Sequence, residues 1–159
     1  EAGAVGGSIE DFDRVGEVYD IEQATERIGA AAEAARALDF PFTLTGRAEN
    51  YLRGNPDIDD TIARLQAYEK AGANVLYAPA LGELDDVKAI CDAVSAPVNV
   101  LARTGWSMAE LADAGAQRVS VGSRLTWVAL AAMVSAAEEM RDEGSFAGLE
   151  ARVDLGAWL

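Results

Sequence analysis

Histidine is absent from these 159 residues, cysteine occurs once, and only Lys70 and Lys88 are lysines. Without histidine there is no Ser-His triad, no histidine-ligated zinc and no imidazole base. The lone Cys91 cannot close an internal disulfide. It shares a helical spacing with Val87, Ile90 and Val94, where a free thiol packs as a small hydrophobe. Long apolar runs are lacking as well: Trp127–Ala137 ends in Glu138, Glu139 and Arg141, well short of the ~20 residues a membrane span needs. No initiator methionine, basic n-region or signal peptide precedes Ala4. The chain enters a strand-like run almost at once, as a piece of something longer would. The expectation is a soluble, cytoplasmic protein that does not engage membranes.

Half the residues are hydrophobic, enough for a packed core rather than disorder, and 27 acids against 13 bases give a formal net charge of −14. Such a chain repels nucleic-acid phosphates and anionic lipid. An acidic, lysine-poor surface suits a salt-rich cytoplasm, although high-GC codon bias explains it equally well.

Short apolar runs alternate with amphipathic stretches. Strands are predicted at Ala4–Ile9, Phe42–Thr45 (running on into Gly46 and Arg47), Asn74–Ala78, Pro97–Ala102 and Arg118–Val121. Helices are predicted from Asp20 to Leu38, from Asp59 or Asp60 to a stop at Gly72, and over Glu83–Val94, Ser107–Ala114 and Thr126–Arg141. Residues 1–143 are expected to form five βα units, and 144–159 a tail without a strong pattern, whose Leu149, Val153, Leu155 and Trp158 are apolar residues able to pack on the barrel or a partner. Almost wholly apolar strands imply a parallel sheet covered on both faces. Either a complete open sheet or five eighths of a (β/α)8 barrel fits this pattern.

In both architectures ligands collect where strands end. Those positions hold Glu10 and Asp11; Arg47, Glu49 and Asn50; Tyr77 and Pro79; Arg103 and Thr104; and Gly122, Ser123 and Arg124. An acid pair on one strand end and an arginine on the next can meet, either as an anion-binding Arg47 beside a metal-supporting carboxylate or as a Glu10–Arg47 or Glu49–Arg47 ion pair that closes the rim. Gly122-Ser123 is either a phosphate cradle or a plain strand-to-helix turn with Ser123 as cap. Asp57, Asp59, Asp60, Glu83, Asp85 and Asp86 fall at helix starts and are read as surface residues that complement the helix dipole.

The strings Gly7-Ser8-Ile9-Glu10-Asp11 and Thr43-Leu44-Thr45-Gly46-Arg47-Ala48-Glu49-Asn50, followed by Asp59–Tyr68, Ala71–Pro79, Pro97–Leu101, Ser107–Leu111 and Arg118–Ser123 in that order, resemble the isocitrate lyase/phosphoenolpyruvate mutase family over roughly residues 3–147. The resemblance implies a partial (β/α)8 barrel in which the five strands correspond to the fourth to eighth. It implies Mg2+ or Mn2+, bound mainly by aspartates of strands this chain does not contain. Glu10 matches the carboxylate that supports the metal through water, with Asp11 as a further metal candidate. Arg47 matches the arginine that grips the substrate, and Glu49 the acid beside it, so both are expected to be catalytic. Asn50, Gly122 and Ser123 complete the expected substrate contacts.

The implied chemistry is cleavage of a C–C or P–C bond in small 2-oxo acids or their enolates, with metal-stabilised oxyanions. The implied partners are a small carboxylate or 2-oxo acid and further copies of the chain, as dimer or tetramer through Trp127–Arg141 and the tail. Lyases of the family carry Lys-Lys-Cys-Gly-His after the fourth strand, whereas Phe12–Asp20 holds no Cys, Lys or His. That departure argues against isocitrate or methylisocitrate cleavage by the same route and against mutase-type gating by lysine. An oxaloacetate-decarboxylase-like or other 2-oxo-acid lyase activity stays open, and the isolated chain is expected to be inactive. The competing classes are a non-catalytic α/β binding or assembly module and a phosphate-ester-binding barrel enzyme.

Overall fold

The structure is a computed structural model and describes residues 3–13 and 15–157; Trp158 lies outside the described residues. Five strands and five α-helices alternate: β1 (Gly6–Glu10), α1 (Ile21–Arg36), β2 (Thr43–Arg47), α2 (Ile58–Ala71), β3 (Val75–Tyr77), α3 (Leu84–Ala93), β4 (Val98–Leu101), α4 (Met108–Asp113), β5 (Arg118–Ser120) and α5 (Arg124–Glu143). Each predicted element is present, with ends that differ by a few residues. The residues group into two compact units, Glu1–Ser120 and Val121–Leu159.

Local chemistry sets the helix ends. Asp20 caps α1 by accepting from the Gln23 N–H at 2.7 Å, and Ala24, Ile28 and Ala32 form its buried stripe at intervals of four. The cap of α2 is Asp57 rather than Asp59 or Asp60. Its carboxylate accepts from the Asp60 N–H at 3.0 Å, which leaves Asp59 and Asp60 inside the first turn. Asp57, Asp59, Glu83 and Asp85 are exposed, as read from sequence, but Asp60 and Asp86 are drawn into side-chain pairs with Arg64 and Tyr51. Helix α2 stops at Gly72, where φ is 109° and a Cβ would lie 3.0 Å from that of Ala32. Only glycine suits both that backbone and that gap. Ser107 and Glu110 form a reciprocal capping box on α4.

All five strands are parallel, and their order in the sheet is their order in the chain. Successive right-handed crossovers between neighbours place every connecting helix on one side. The faces can be assigned from Gly46, whose missing Cβ would sit 3.0 Å from Tyr68 and 3.2 Å from Ala73. Strand β2 lies close against α2 on that face, and by alternation Thr45 and Arg47 point the other way. The helix side holds the core: Leu44, Leu65, Tyr68, Leu76, Val87, Ile90, Val98, Val100 and Leu111. The opposite face is mostly polar, with Ser8, Thr45, Arg47, Tyr77, Asn99, Arg118 and Ser120 following the register. Expecting apolar cover on both faces therefore overstated the pattern, because the sheet's short strands mix buried apolar and polar positions.

In the second unit no residue of α5 is buried. Helix α5 ends at Gly144 (φ 66°), and Glu139 accepts from Ser145 Oγ and from the Ala147 and Gly148 N–H groups. That carboxylate folds the short turn Ala147–Glu150 back onto the helix.

Candidate active site at the strand ends

Glu10 and Arg47 end adjacent strands in register. Arg47 Nε lies 3.6 Å from Glu10 Oε2 and donates to Glu49 Oε1, so the two expected ion pairs both form. The guanidinium also sits 5.2 Å from the centroid of the Tyr77 ring. With Nε held from one side and the plane stacked on an aromatic face, the fork is oriented by its surroundings. Among the described residues neither terminal nitrogen of Arg47 has a protein acceptor, and the side chain remains 27% exposed. Two parallel donors left open in this way match a carboxylate.

Glu49 is fully buried, and its second oxygen accepts from Arg53 Nε at 2.9 Å and lies 2.8 Å from Arg53 Nη2 in the same ion pair. Arg53 in turn lies over Phe12, 3.5 Å from the ring centroid. Nothing in the residue pattern singled out Arg53. The available signal was its spacing of four from Glu49, which the loop closes as a single turn with the Arg53 N–H on the Glu49 carbonyl at 2.9 Å.

Asp11, one residue beyond Glu10, faces inward and is buried. Its Oδ1 accepts from the Glu49 N–H at 2.7 Å, and its Oδ2 from Arg64 Nη1 at 3.0 Å and Tyr68 Oη at 2.5 Å. Three protein donors share the two oxygens of Asp11, so its carboxylate is engaged in the interior and is not left open at the rim beside Glu10. Arg64 is completed by the Tyr19 carbonyl at 2.7 Å and by Asp60 at 2.8 Å. Burial pushes the Tyr68 hydroxyl far above the ordinary tyrosine range, and the Asp11 charge adds to it; burial pulls the Arg64 guanidinium down, but its hydrogen bond to Asp60 and the Asp11 charge hold it above its usual value.

Asn50 also turns inward. Its Nδ2 donates to Thr61 Oγ1 at 2.6 Å and the Asp57 carbonyl at 3.2 Å, tying the loop to the start of α2. Its Oδ1 is buried without a partner among the described residues, so only the donor half of the amide is engaged, and it is engaged by the helix start and not by Arg47. Gly122 adopts φ 56°, which suits a strand-to-helix turn, and Ser123 occupies the cap position of α5 without a side-chain capping bond. Both lie in the second unit. Arg103 is taken up by the Leu81 carbonyl at 3.2 Å. Cys91 packs under Gly115, where a Cβ would come within 2.8 Å, and burial raises its thiol pKa.

The phosphoenolpyruvate phosphomutase family model matches residues 1–141. The chain belongs to this family. A candidate lyase/mutase from Burkholderia cenocepacia J2315 is 52% identical and superimposes with a TM-score of 0.92, covering 99% of this chain and 59% of that one. A candidate phosphonomutase from the same organism is 31% identical, with a TM-score of 0.81, over 87% and 60% of the two chains. Phosphonopyruvate hydrolase, solved as a complex with oxalate and Mg2+, shares the fold at 24% identity and a TM-score of 0.78, over 98% and 56%. The chain thus spans about three fifths of the length of these solved structures.

Proposed function

We propose that this chain supplies the carboxylate-gripping part of a lyase-like site for small 2-oxo acids, within a (β/α)8 barrel whose fourth to eighth βα units it represents. The observation that carries the reading is Arg47: anchored through Nε by Glu49, stacked on Tyr77, and open at both terminal nitrogens. The sequential strand order and the one-sided helices support the barrel, since an open sheet of this kind reverses its order at a switch point and takes helices on both faces. The same observation disfavours a free-standing binding module. No observation favours the phosphate-ester reading.

A phosphonopyruvate hydrolase in the fold group binds oxalate with Mg2+, and an ion of that kind would polarise a 2-oxo acid as its C–C or P–C bond breaks. The described residues do not form its site: no three potential ligands cluster among them. Glu10 is half-exposed and among the described residues pairs only with Arg47, at 3.6 Å, which fits a supporting carboxylate that holds a metal-bound water and no more. The part played by this chain's own residues is to bind and orient the substrate carboxylate. The exposed apolar positions of α5, among them Leu125, Trp127, Val128 and Met133, support a homo-oligomer joined there.

Oxalate titrated into the 159-residue chain by calorimetry is expected to bind, and Arg47→Met to weaken it at least about tenfold, as loss of a charge-assisted fork does. Binding that survives Arg47→Met would remove the reading. Oxaloacetate or isocitrate turnover by this chain with Mg2+ would show that it needs no further residues.

A further inference from the structure

Three charges meet at the rim, and by themselves they make a poor anion site. Glu10 and Glu49 flank the single guanidinium of Arg47, two negative charges to one positive, so an approaching carboxylate meets net repulsion. The fourth member corrects the balance. Arg53 places Nε and Nη2 on the oxygen of Glu49 that Arg47 does not use.

Glu49 is wholly buried, so an oxygen without a donor there is costly. If Arg53 were absent, the nearest way to satisfy Glu49 would be for Arg47 to turn its fork onto both oxygens. The terminal nitrogens now open would then be consumed. Arg53 itself is fixed by its backbone, which donates to the Glu49 carbonyl at 2.9 Å, and by the Phe12 ring beneath it. Phe12 belongs to the loop after β1, which closes on itself through a Phe12–Val18 bridge and the Asp13 N–H to Glu17 carbonyl bond at 2.9 Å. The chain of contacts therefore runs from that loop, through Phe12 and Arg53, to Glu49 and Arg47.

We propose that Arg53 is the positioning residue of the anion site: by occupying Glu49 it keeps the fork of Arg47 open and the local charge neutral, and through Phe12 it ties the site to the loop after β1. This rests on Arg47 as the carboxylate grip. It assigns Arg53 no contact with substrate, and it makes carboxylate affinity depend on a residue one step removed.

The test is oxalate titration, without added metal, into the full chain and its Arg53→Met, Arg53→Lys and Arg53→Met/Glu49→Gln variants. Arg53→Met is expected to weaken oxalate about tenfold, and Arg53→Lys, which keeps the charge, to stay within about threefold of wild type. Adding Glu49→Gln to Arg53→Met should recover most of the loss, because the glutamine carbonyl still accepts from Arg47 Nε while the unpaired charge is gone. A residue that served only as filler would show no such recovery. Unchanged affinity in Arg53→Met, a deeper loss in the double variant, or a loss in Arg53→Lys as large as in Arg53→Met would each overturn the proposal.

A ligand-free readout separates this idea from the functional reading, and where Arg53→Met does not fold, Arg53→Lys and Arg53→Met/Glu49→Gln, which leave no buried charge unpaired, carry the test. The Arg47 Nε–H resonance should shift in Arg53→Met and hold its place in Arg53→Lys. That pattern without oxalate binding by wild type would sink the grip and leave the positioning role. Oxalate binding abolished by Arg47→Met, with the resonance indifferent to Arg53→Met or displaced in Arg53→Lys, would do the reverse.

Discussion

Glu10 and Asp11 are neighbours in sequence, and each faces an arginine, yet they end in opposite regimes. Asp11 is buried with every oxygen engaged, by the Glu49 N–H, Arg64 and Tyr68. Glu10 is 47% exposed along its side chain and reaches Arg47 only at 3.6 Å. The first cluster joins β1, the loop after β2 and helix α2, which are far apart in sequence. The second leaves arginine nitrogens without an acceptor among the described residues. Charge that is fully satisfied in the interior serves the fold, and charge left partly open at the rim is available to a ligand.

The comparison breaks most sharply at Asp11. Asp11→Ala should destabilise the chain by about 3–5 kcal/mol in urea unfolding, because it strands Arg64 and Tyr68 in the interior. A loss no larger than that of an ordinary surface change would mean the inner cluster is not the structural joint. Tyr68→Phe comes next, at about 1.5–3 kcal/mol for a hydrogen bond to a charged acceptor. Tyr68 also has a pH signature. Its proton is held more tightly in the folded chain than in the unfolded one, where a tyrosine ionises near pH ~10. The stability it contributes is therefore complete below that pH and is lost as pH rises above it, through its raised folded pKa. Tyr51, pushed up to about 12 by burial and then by Asp86, acts in the same direction. Tyr68→Phe should flatten the alkaline fall in melting temperature without abolishing it.

Much of the chain was legible because local chemistry governed it. Asp20 and Gly72 are visible as helix ends, and the alternation of apolar runs with amphipathic stretches yields the ten elements. The order of Glu10, Arg47 and Glu49 after successive strands was enough to bring them together at one rim. What sequence withheld depends on facing and on distance. At the end of a strand one residue of offset decides which acid turns inward, and spacing did not decide between Glu10 and Asp11. The partners of Asp11 lie 53 and 57 residues away on α2, beyond any local rule. Three aspartates near the start of α2 competed for one capping position, and Asn50, which follows the site motif, was claimed by that helix end. Arg53 was missed because an (i, i+4) acid–base pair usually reads as a solvated surface contact. Here the acid is buried and the pair is part of the site's wiring.

The smallest expected effect is also the most discriminating between the two regimes. Glu10→Gln removes a carboxylate from an exposed 3.6 Å pair, so the change in unfolding free energy should stay within about 0.5 kcal/mol. The same substitution removes one of the two negative charges around Arg47. Metal-free oxalate affinity should therefore rise, by about two- to fivefold for a contact worth a fraction of a kcal/mol to 1 kcal/mol. Salt should erase the gain, since an exposed interaction is screened within a Debye length of about 10 Å at 0.1 M. A stability loss near that of Asp11→Ala would place Glu10 in the structural class, and the distinction between the two acids would fail. Weaker oxalate binding at low salt would instead mean that Glu10 holds Arg47 in place rather than competing for it, and the open nitrogens would then owe their orientation to both carboxylates.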